Sequence, residues 1–215
     1  MRFRDRYEAG RLLAEELAFL RDRENVIVLG VPRGGVVVGY EIARALAAPL
    51  DVYITRKIGA PYNPELAIGA VASDGNVVLD EGLLRRLGIS QEYVEEETAR
   101  QQTEIERRLA EYRGDRPPLE LKDRTVILTD DGVATGATIL ATIQAIKAQE
   151  PEELILAIPV GPPDTIAHLG KEVDKVICLS TPHLFWAVGA FYLDFSQTTD
   201  EEVKSLLEES REQGQ

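Results

Sequence analysis

Two adjacent carboxylates, followed by small and hydroxyl-bearing residues, form the stretch of this sequence best suited to chemistry. It reads Val126-Ile127-Leu128-Thr129-Asp130-Asp131-Gly132-Val133-Ala134-Thr135-Gly136-Ala137-Thr138. The β-prone apolar residues ahead of Asp130 and Asp131 predict a buried strand. Such a strand delivers its acids to the carboxyl-terminal edge of a parallel sheet, where α/β proteins place ligands. The small residues let backbone N–H groups approach an anion closely. A helix starting at about Thr135–Thr138 adds the positive end of its dipole. Thr135 and Thr138 can donate hydroxyls to the same anion. Acids aimed at one part of a ligand and N–H groups at another suit a phosphorylated sugar: the carboxylates accept from a diol and the loop holds the phosphate. No Gly-Lys-Ser/Thr follows, so the pattern differs from a nucleoside triphosphate loop.

A second anion cradle is predicted upstream. Residues 26–31 are a continuous apolar run, as in a buried parallel strand. Pro32-Arg33-Gly34-Gly35 follows, then a helix from about Val36 to Ala47. Arg33 can form a bidentate contact with an anion. Alone, the turn reads equally as a tight turn with a solvated arginine. Residues 51–56 read as the next strand, ending at Arg56-Lys57. Residues 58–65 are rich in turn formers. Strands near 67–72 and 77–79 flank Ser73-Asp74-Gly75-Asn76, a hairpin turn.

The stretch 126–138 resembles the 5-phosphoribosyl 1-diphosphate (PRPP) motif of type I phosphoribosyltransferases: apolar residues, an acidic pair, two variable residues, a small residue or Thr, then Thr-Gly-x-Thr/Ser. Val31-Pro32-Arg33-Gly34-Gly35 is similar to the pyrophosphate loop of the hypoxanthine, guanine and xanthine enzymes, in which a non-proline cis peptide is common. The resemblance implies transfer of ribose 5-phosphate from PRPP to a nitrogenous base, with pyrophosphate released. It gives catalytic roles to Asp130, Asp131, Arg33 and Lys57. It places Gly34, Gly35, Arg56, Gly132, Val133, Ala134, Thr135, Gly136, Ala137 and Thr138 around PRPP. Magnesium is the implied cofactor, carried by the oxygens of PRPP and water rather than by protein ligands. Trp186 stands three residues before Gly189, where the 6-oxopurine enzymes lay an aromatic ring on the base, and Val188 lies beside it. The alternative for Phe185 and Trp186 is packing within a small hood.

Departures from that pattern leave the acceptor open. Ala134 stands where the 6-oxopurine enzymes carry an Asp, as in the adenine and uracil enzymes. Val160-Gly161-Pro162-Pro163 stands where they carry a base-reading Lys. Asp194 is one residue further from Gly189 than their hood acid. Trp186 and the Arg33 turn favour a purine over a pyrimidine or another nitrogen acceptor. A PRPP-binding regulator without turnover is the reading from another class.

The supporting elements follow from composition and pattern. The 215 residues are 44% hydrophobic with net charge −13, enough apolar material for one α/β domain over 1–215. The expected architecture is a five-stranded, mostly parallel sheet flanked by helices, using 26–31, 51–56, 125–130, 153–160 and 173–179. The acidic balance opposes broad nucleic-acid binding, and no apolar run approaches the roughly 18–20 residues of a membrane span. Met1 to Arg6 is basic with no apolar signal core behind it, which makes the cytoplasm the expected location. The single cysteine, Cys178, reads as an inert thiol in a strand. His168 and His183 lack a paired ligand pattern. Residues 5–21 read as a packing helix capped by Asp5. Residues 81–113 form an inserted helical arm, with Ser90 capping a long helix of thin apolar stripe. Such an arm lies on the core or in a dimer contact, and a homodimer or higher homo-oligomer is expected. Residues from about 181 to 200 form the hood.

Overall fold

The computed structural model describes residues 1–114 and 116–213. In chain order its elements are α1 (Arg6–Glu16), β1 (Val26–Gly30), α2 (Gly34–Leu46), β2 (Leu50–Val52), β3 (Thr55–Ala60), β4 (Asn63–Ala72), β5 (Val77–Leu79), α3 (Glu81–Leu87), α4 (Gln91–Arg113), β6 (Thr125–Thr129), α5 (Ala137–Lys147), β7 (Glu153–Val160), α6 (Pro163–Leu169), β8 (Lys175–Ser180) and α7 (Asp200–Gln213). Short 3-10 turns lie at Ala18–Leu20 and Val188–Phe191.

Continuous apolar runs form the centre. β1 and β6 are buried at every position, and β7 at every position after its first. The five-stranded sheet has the order β2-β1-β6-β7-β8, and every neighbouring pair in it is parallel. Both faces are therefore covered, as continuous hydrophobic strands require. β1 and β6 are adjacent, with Gly30 opposite Thr129. The loops carrying Arg33 and the Asp130-Asp131 pair thus emerge side by side at one sheet edge.

The expected strand at 51–56 divides between two sheets. β2 ends at Val52, and Tyr53 N still donates to Gly30 O at 3.1 Å. The chain then enters β3 of a second, antiparallel sheet with order β3-β4-β5. Both halves are β-prone, so alternation along the sequence does not mark the change of partner. Residues 58–65, expected as turn formers, instead complete β3 and begin β4, leaving only Pro61-Tyr62 between them. The hairpin turn at Ser73–Asn76 forms as expected, with Gly75 at φ +85°. Among the described residues, no helix is long and apolar enough to cross a membrane.

Packing fixes the remaining helices. Asp5 caps α1 by accepting from Glu8 N at 2.7 Å, but the helix stops at Glu16, before the 3-10 turn, rather than running to 21. Ser90 caps α4 by accepting from Tyr93 N at 3.3 Å. The arm lies on the core, where α4 packs against β3, β4 and α7. Its far end is pinned by a buried ion pair: Arg113 Nε donates to Asp51 Oδ1 at 2.8 Å and Nη2 to Val52 O at 2.8 Å. α7 packs on α2, α4 and β2, and the sequence pattern gave no warning of it. Cys178 lies on β8, where burial raises its thiol pKa.

Removing one partner of a buried ion pair leaves an uncompensated charge and costs about 3–5 kcal/mol. Arg113→Met is expected to lower unfolding free energy by about that amount in urea titrations. Adding Asp51→Leu should recover most of the loss. A single variant as stable as the parent would show that the pair does not anchor the arm.

Candidate active site

The site is built where β1 and β6 end. Gly30 and Thr129 finish their strands in register, so Pro32-Arg33-Gly34-Gly35 and Asp130-Asp131-Gly132 lie against each other. A Cβ on Gly35 would lie 2.8 Å from Thr129 O and 2.9 Å from Asp130 Cα. One on Gly34 would lie 2.0 Å from Asp131 Oδ2. Only glycine permits this approach. The helix expected from Val36 begins at Gly34, so both glycines sit in the first turn of α2. The Gly35 amide donates to Val31 O at 3.0 Å, which makes that residue's role mainly steric. The Pro32-Arg33 peptide is cis.

Asp130 and Asp131 are both half-buried. Asp131 N donates to Asp130 Oδ1 at 2.8 Å. Burial, together with the charge of Asp131, holds the Asp130 carboxyl well above the usual carboxylate range. Burial also raises Asp131, and Arg6 acts against it. Arg6 Nε donates to Asp131 Oδ2 at 2.7 Å, and Arg6 Nη1 to Ser196 O at 2.8 Å. Tyr192, whose phenol burial raises, donates to Asp131 O at 2.6 Å.

Beyond the acids the chain turns across β7 and enters α5. Val133 N donates to Val160 O at 3.0 Å, and Thr165 Oγ1 to Ala134 O at 2.9 Å. Gly132 lies close beneath Val188, since an added Cβ would meet Val188 Cγ1 at 2.6 Å. Gly136 takes φ +77° as the N-cap of α5, a conformation that favours glycine. Ala134, Thr135, Ala137 and Thr138 are exposed around that helix start. Amides in a first helical turn have no intrahelical acceptor, so this end can receive an anion.

The basic candidates are dispersed. Arg33 is about one-third exposed, with Asp200 Oδ2 at the long distance of 4.0 Å. Arg56 and Lys57 do not end a strand of the parallel sheet; both lie on β3. Arg56 turns to the arm, where Nε donates to Gln101 Oε1 at 2.5 Å. Lys57 is exposed on the same β3 face as Thr55, whose Oγ1 lies 2.9 Å from Thr142 Oγ1 of α5. That face is shared with the phosphate-type helix, whereas Arg56 belongs to the face under α4.

The hood follows β8. Phe185 stacks on Phe191 at 5.2 Å between centroids, whereas Trp186 is 88% exposed. Packing therefore accounts for Phe185 and not for Trp186. The amino terminus straps the hood in place. Phe3 N donates to Phe191 O, Leu193 N to Phe3 O and Asp194 N to Arg4 O, each at 2.8 Å, and Phe3 is fully buried. His168 and His183 are exposed.

A family model of the phosphoribosyl transferase domain matches residues 4–196. The chain belongs to the phosphoribosyl transferase family. It is 43% identical over 206 residues to proteins bearing a phosphoribosyl transferase name from two strains of Mycobacterium tuberculosis. The match covers 96% of this chain and 46% of those proteins, so the chain spans less than half their length. It is also 48% identical to the protein in the crystal structure of TT1426 from Thermus thermophilus, with a TM-score of 0.87 over 97% of this chain and 99% of that one.

Two site residues of this family member were missed in the sequence pattern, Arg6 and Tyr192. Arg6 left one trace: a cation at the first position of a helix opposes the dipole. Asp130 also carries a stability consequence. A carboxyl whose native pKa lies above its unfolded value of about 3.9 contributes stability that is fully present below that pH. The contribution is lost as pH rises through the native value. Asp130→Asn is therefore expected to gain Tm relative to the parent between pH 4 and pH 7.5, read by thermal unfolding across that range. A Tm difference that stays constant with pH would refute it.

Proposed function

We propose that this chain transfers ribose 5-phosphate from PRPP to a nitrogenous base and releases pyrophosphate. One observation carries the reading: the acid pair, the Thr135–Thr138 helix start and the Arg33 loop share a single sheet edge, with Val188 of the hood packed on Gly132. The parts match the ligand in order. The helix start takes the 5-phosphate, Asp130 and Asp131 accept from the ribose hydroxyls, and Arg33 with Lys57 faces the pyrophosphate.

In the reaction the bond from the anomeric carbon to the diphosphate oxygen breaks and a bond to the base nitrogen forms. Positive charge grows on the ribose ring, and the acid pair stabilises it. Arg33 and Lys57 offset the charge of the leaving group. The nitrogen's proton passes to water, since Ala134 offers no carboxylate to take it. Magnesium suits the donor's phosphate oxygens. No three His, Cys, Asp or Glu side chains among the described residues converge to hold a metal, and Asp131 already bonds Arg6. These residues fit an ion that arrives with PRPP, where it would neutralise part of the diphosphate charge.

Trp186 supports a purine, the larger stacking partner. The Gly161-Pro162-Pro163 turn supplies no side chain to read a 6-oxo group, so shape and stacking carry selection. Pyrophosphate release from PRPP and magnesium across a panel of free bases tests the reading, with release expected for at least one purine. Saturable PRPP binding without release for any base would instead mark a PRPP-responsive regulator. Base stacking is worth about 1–3 kcal/mol, so Trp186→Ala should raise the KM for the base about 5- to 150-fold and leave that for PRPP nearly unchanged. An equal rise in both would assign Trp186 to hood structure.

A further inference from the structure

A helix that begins with arginine breaks a local rule, because the positive end of the dipole disfavours a cation there. Asp5 and Glu8 offset part of that cost: Asp5 caps the helix, and Glu8 lies in its first turn. Arg6 turns away from both. Its Nε meets Asp131 Oδ2 at 2.7 Å, its Nη1 meets Ser196 O at 2.8 Å, and its guanidinium carbon lies 3.9 Å from the Phe195 ring centroid. Only 11% of the side chain is exposed. Three partners on three sides leave little freedom to a side chain that normally roams a surface.

The surroundings are shaped to this pair. A Cβ at position 34 would meet Asp131 Oδ2 at 2.0 Å and Arg6 Nε at 2.8 Å, so Gly34 makes room for the ion pair as well as for a ligand. The amino-terminal strap delivers Arg6. Its three backbone bonds to residues 191–194 immediately precede α1. A departure from local preference that the tertiary structure supports so closely marks a functional position.

We propose that Arg6 is a positioning residue for the sugar donor: it fixes Asp131 and keeps that carboxylate ionised, ready to accept from the donor's vicinal hydroxyls. The proposal rests on the donor assignment of the preceding subsection. A carboxylate has about four lone-pair sites, so one bond from Arg6 leaves capacity for a hydroxyl. An acid bearing its proton would lose acceptor capacity, and two adjacent half-buried acids tend to share a proton. The charged groups facing Asp131 come from its own loop and from the amino-terminal helix. They are Asp130 beside it and Arg6 from α1. The Tyr192 phenol also faces it. Of these, Arg6 forms the short ion pair.

The test is calorimetric titration of the full chain with PRPP and magnesium between pH 5.5 and 8.5, and with pyrophosphate and magnesium as the probe lacking a diol. Arg6→Gln is expected to weaken PRPP binding at least tenfold at pH 6. It should move the acid limb of the binding profile about one unit toward alkaline pH, the scale set by an arginine beside an aspartate. Its pyrophosphate affinity should match the parent, which also reports a folded site. Arg6→Lys, which keeps the charge without the planar fork, should retain the parent's acid limb with weaker PRPP binding. Unchanged PRPP affinity and limb in both variants would overturn the proposal, as would tighter PRPP binding in Arg6→Gln, the mark of a plug. If the parent itself binds pyrophosphate but not PRPP, the donor assignment fails instead.

Discussion

Two carboxylates held side by side at a half-buried sheet edge are the constraint around which this molecule is arranged. Their mutual repulsion and loss of solvent disfavour ionisation, and the surroundings counter it in two ways. Arg6 brings a cation to Asp131, and Asp130 accepts from the Asp131 amide; Tyr192 fixes the backbone beneath them by donating to the Asp131 carbonyl. Gly34 and Gly35 clear the space in which this happens. The adjacency of β1 and β6 is what makes the glycine loop and the acids neighbours.

The rest of the structure serves that edge. The helix start at Gly136 lies next to the acids along the chain, with its small exposed residues turned outward. The hood covers the other side, and the strap at residues 3–6 ties hood and acids into one unit. Tyr112 at the end of the arm donates to Asp200, whose carboxylate lies 4.0 Å from the Arg33 guanidinium. The carboxyl-terminal helix and the arm therefore meet beside the pyrophosphate-type loop. Balancing charge across this small region matters more here than adding apolar burial, since the central sheet is already closed on both faces.

In the proposed reaction, selection of the acceptor follows a different logic. The lysine that reads an oxygen on the base in the 6-oxopurine enzymes has no counterpart at Gly161-Pro162-Pro163, and the acid that takes a proton there has none at Ala134. An exposed aromatic face remains. A site that recognises by stacking discriminates among bases less sharply than one with buried hydrogen-bonding groups, because an unmatched polar group is what penalises the wrong ligand.

The sequence by itself determined the parallel core, the acid pair, the glycine loop and the helix start. Each is carried by contiguous residues whose apolar runs, turn formers and small side chains act locally. The same holds for the caps at Asp5 and Ser90 and for the hairpin at Ser73–Asn76. Tertiary structure alone decided that the run 51–56 changes sheets at Tyr53, that Arg56 serves the arm, that α7 seals β2, and that Trp186 stands in solvent while Phe185 packs. It also decided that Arg6, 125 residues from Asp131 in the chain, becomes its ion-pair partner. Pairings of this kind depend on which surfaces meet after the sheet has formed. A charged residue carries no local mark of a partner chosen at that distance.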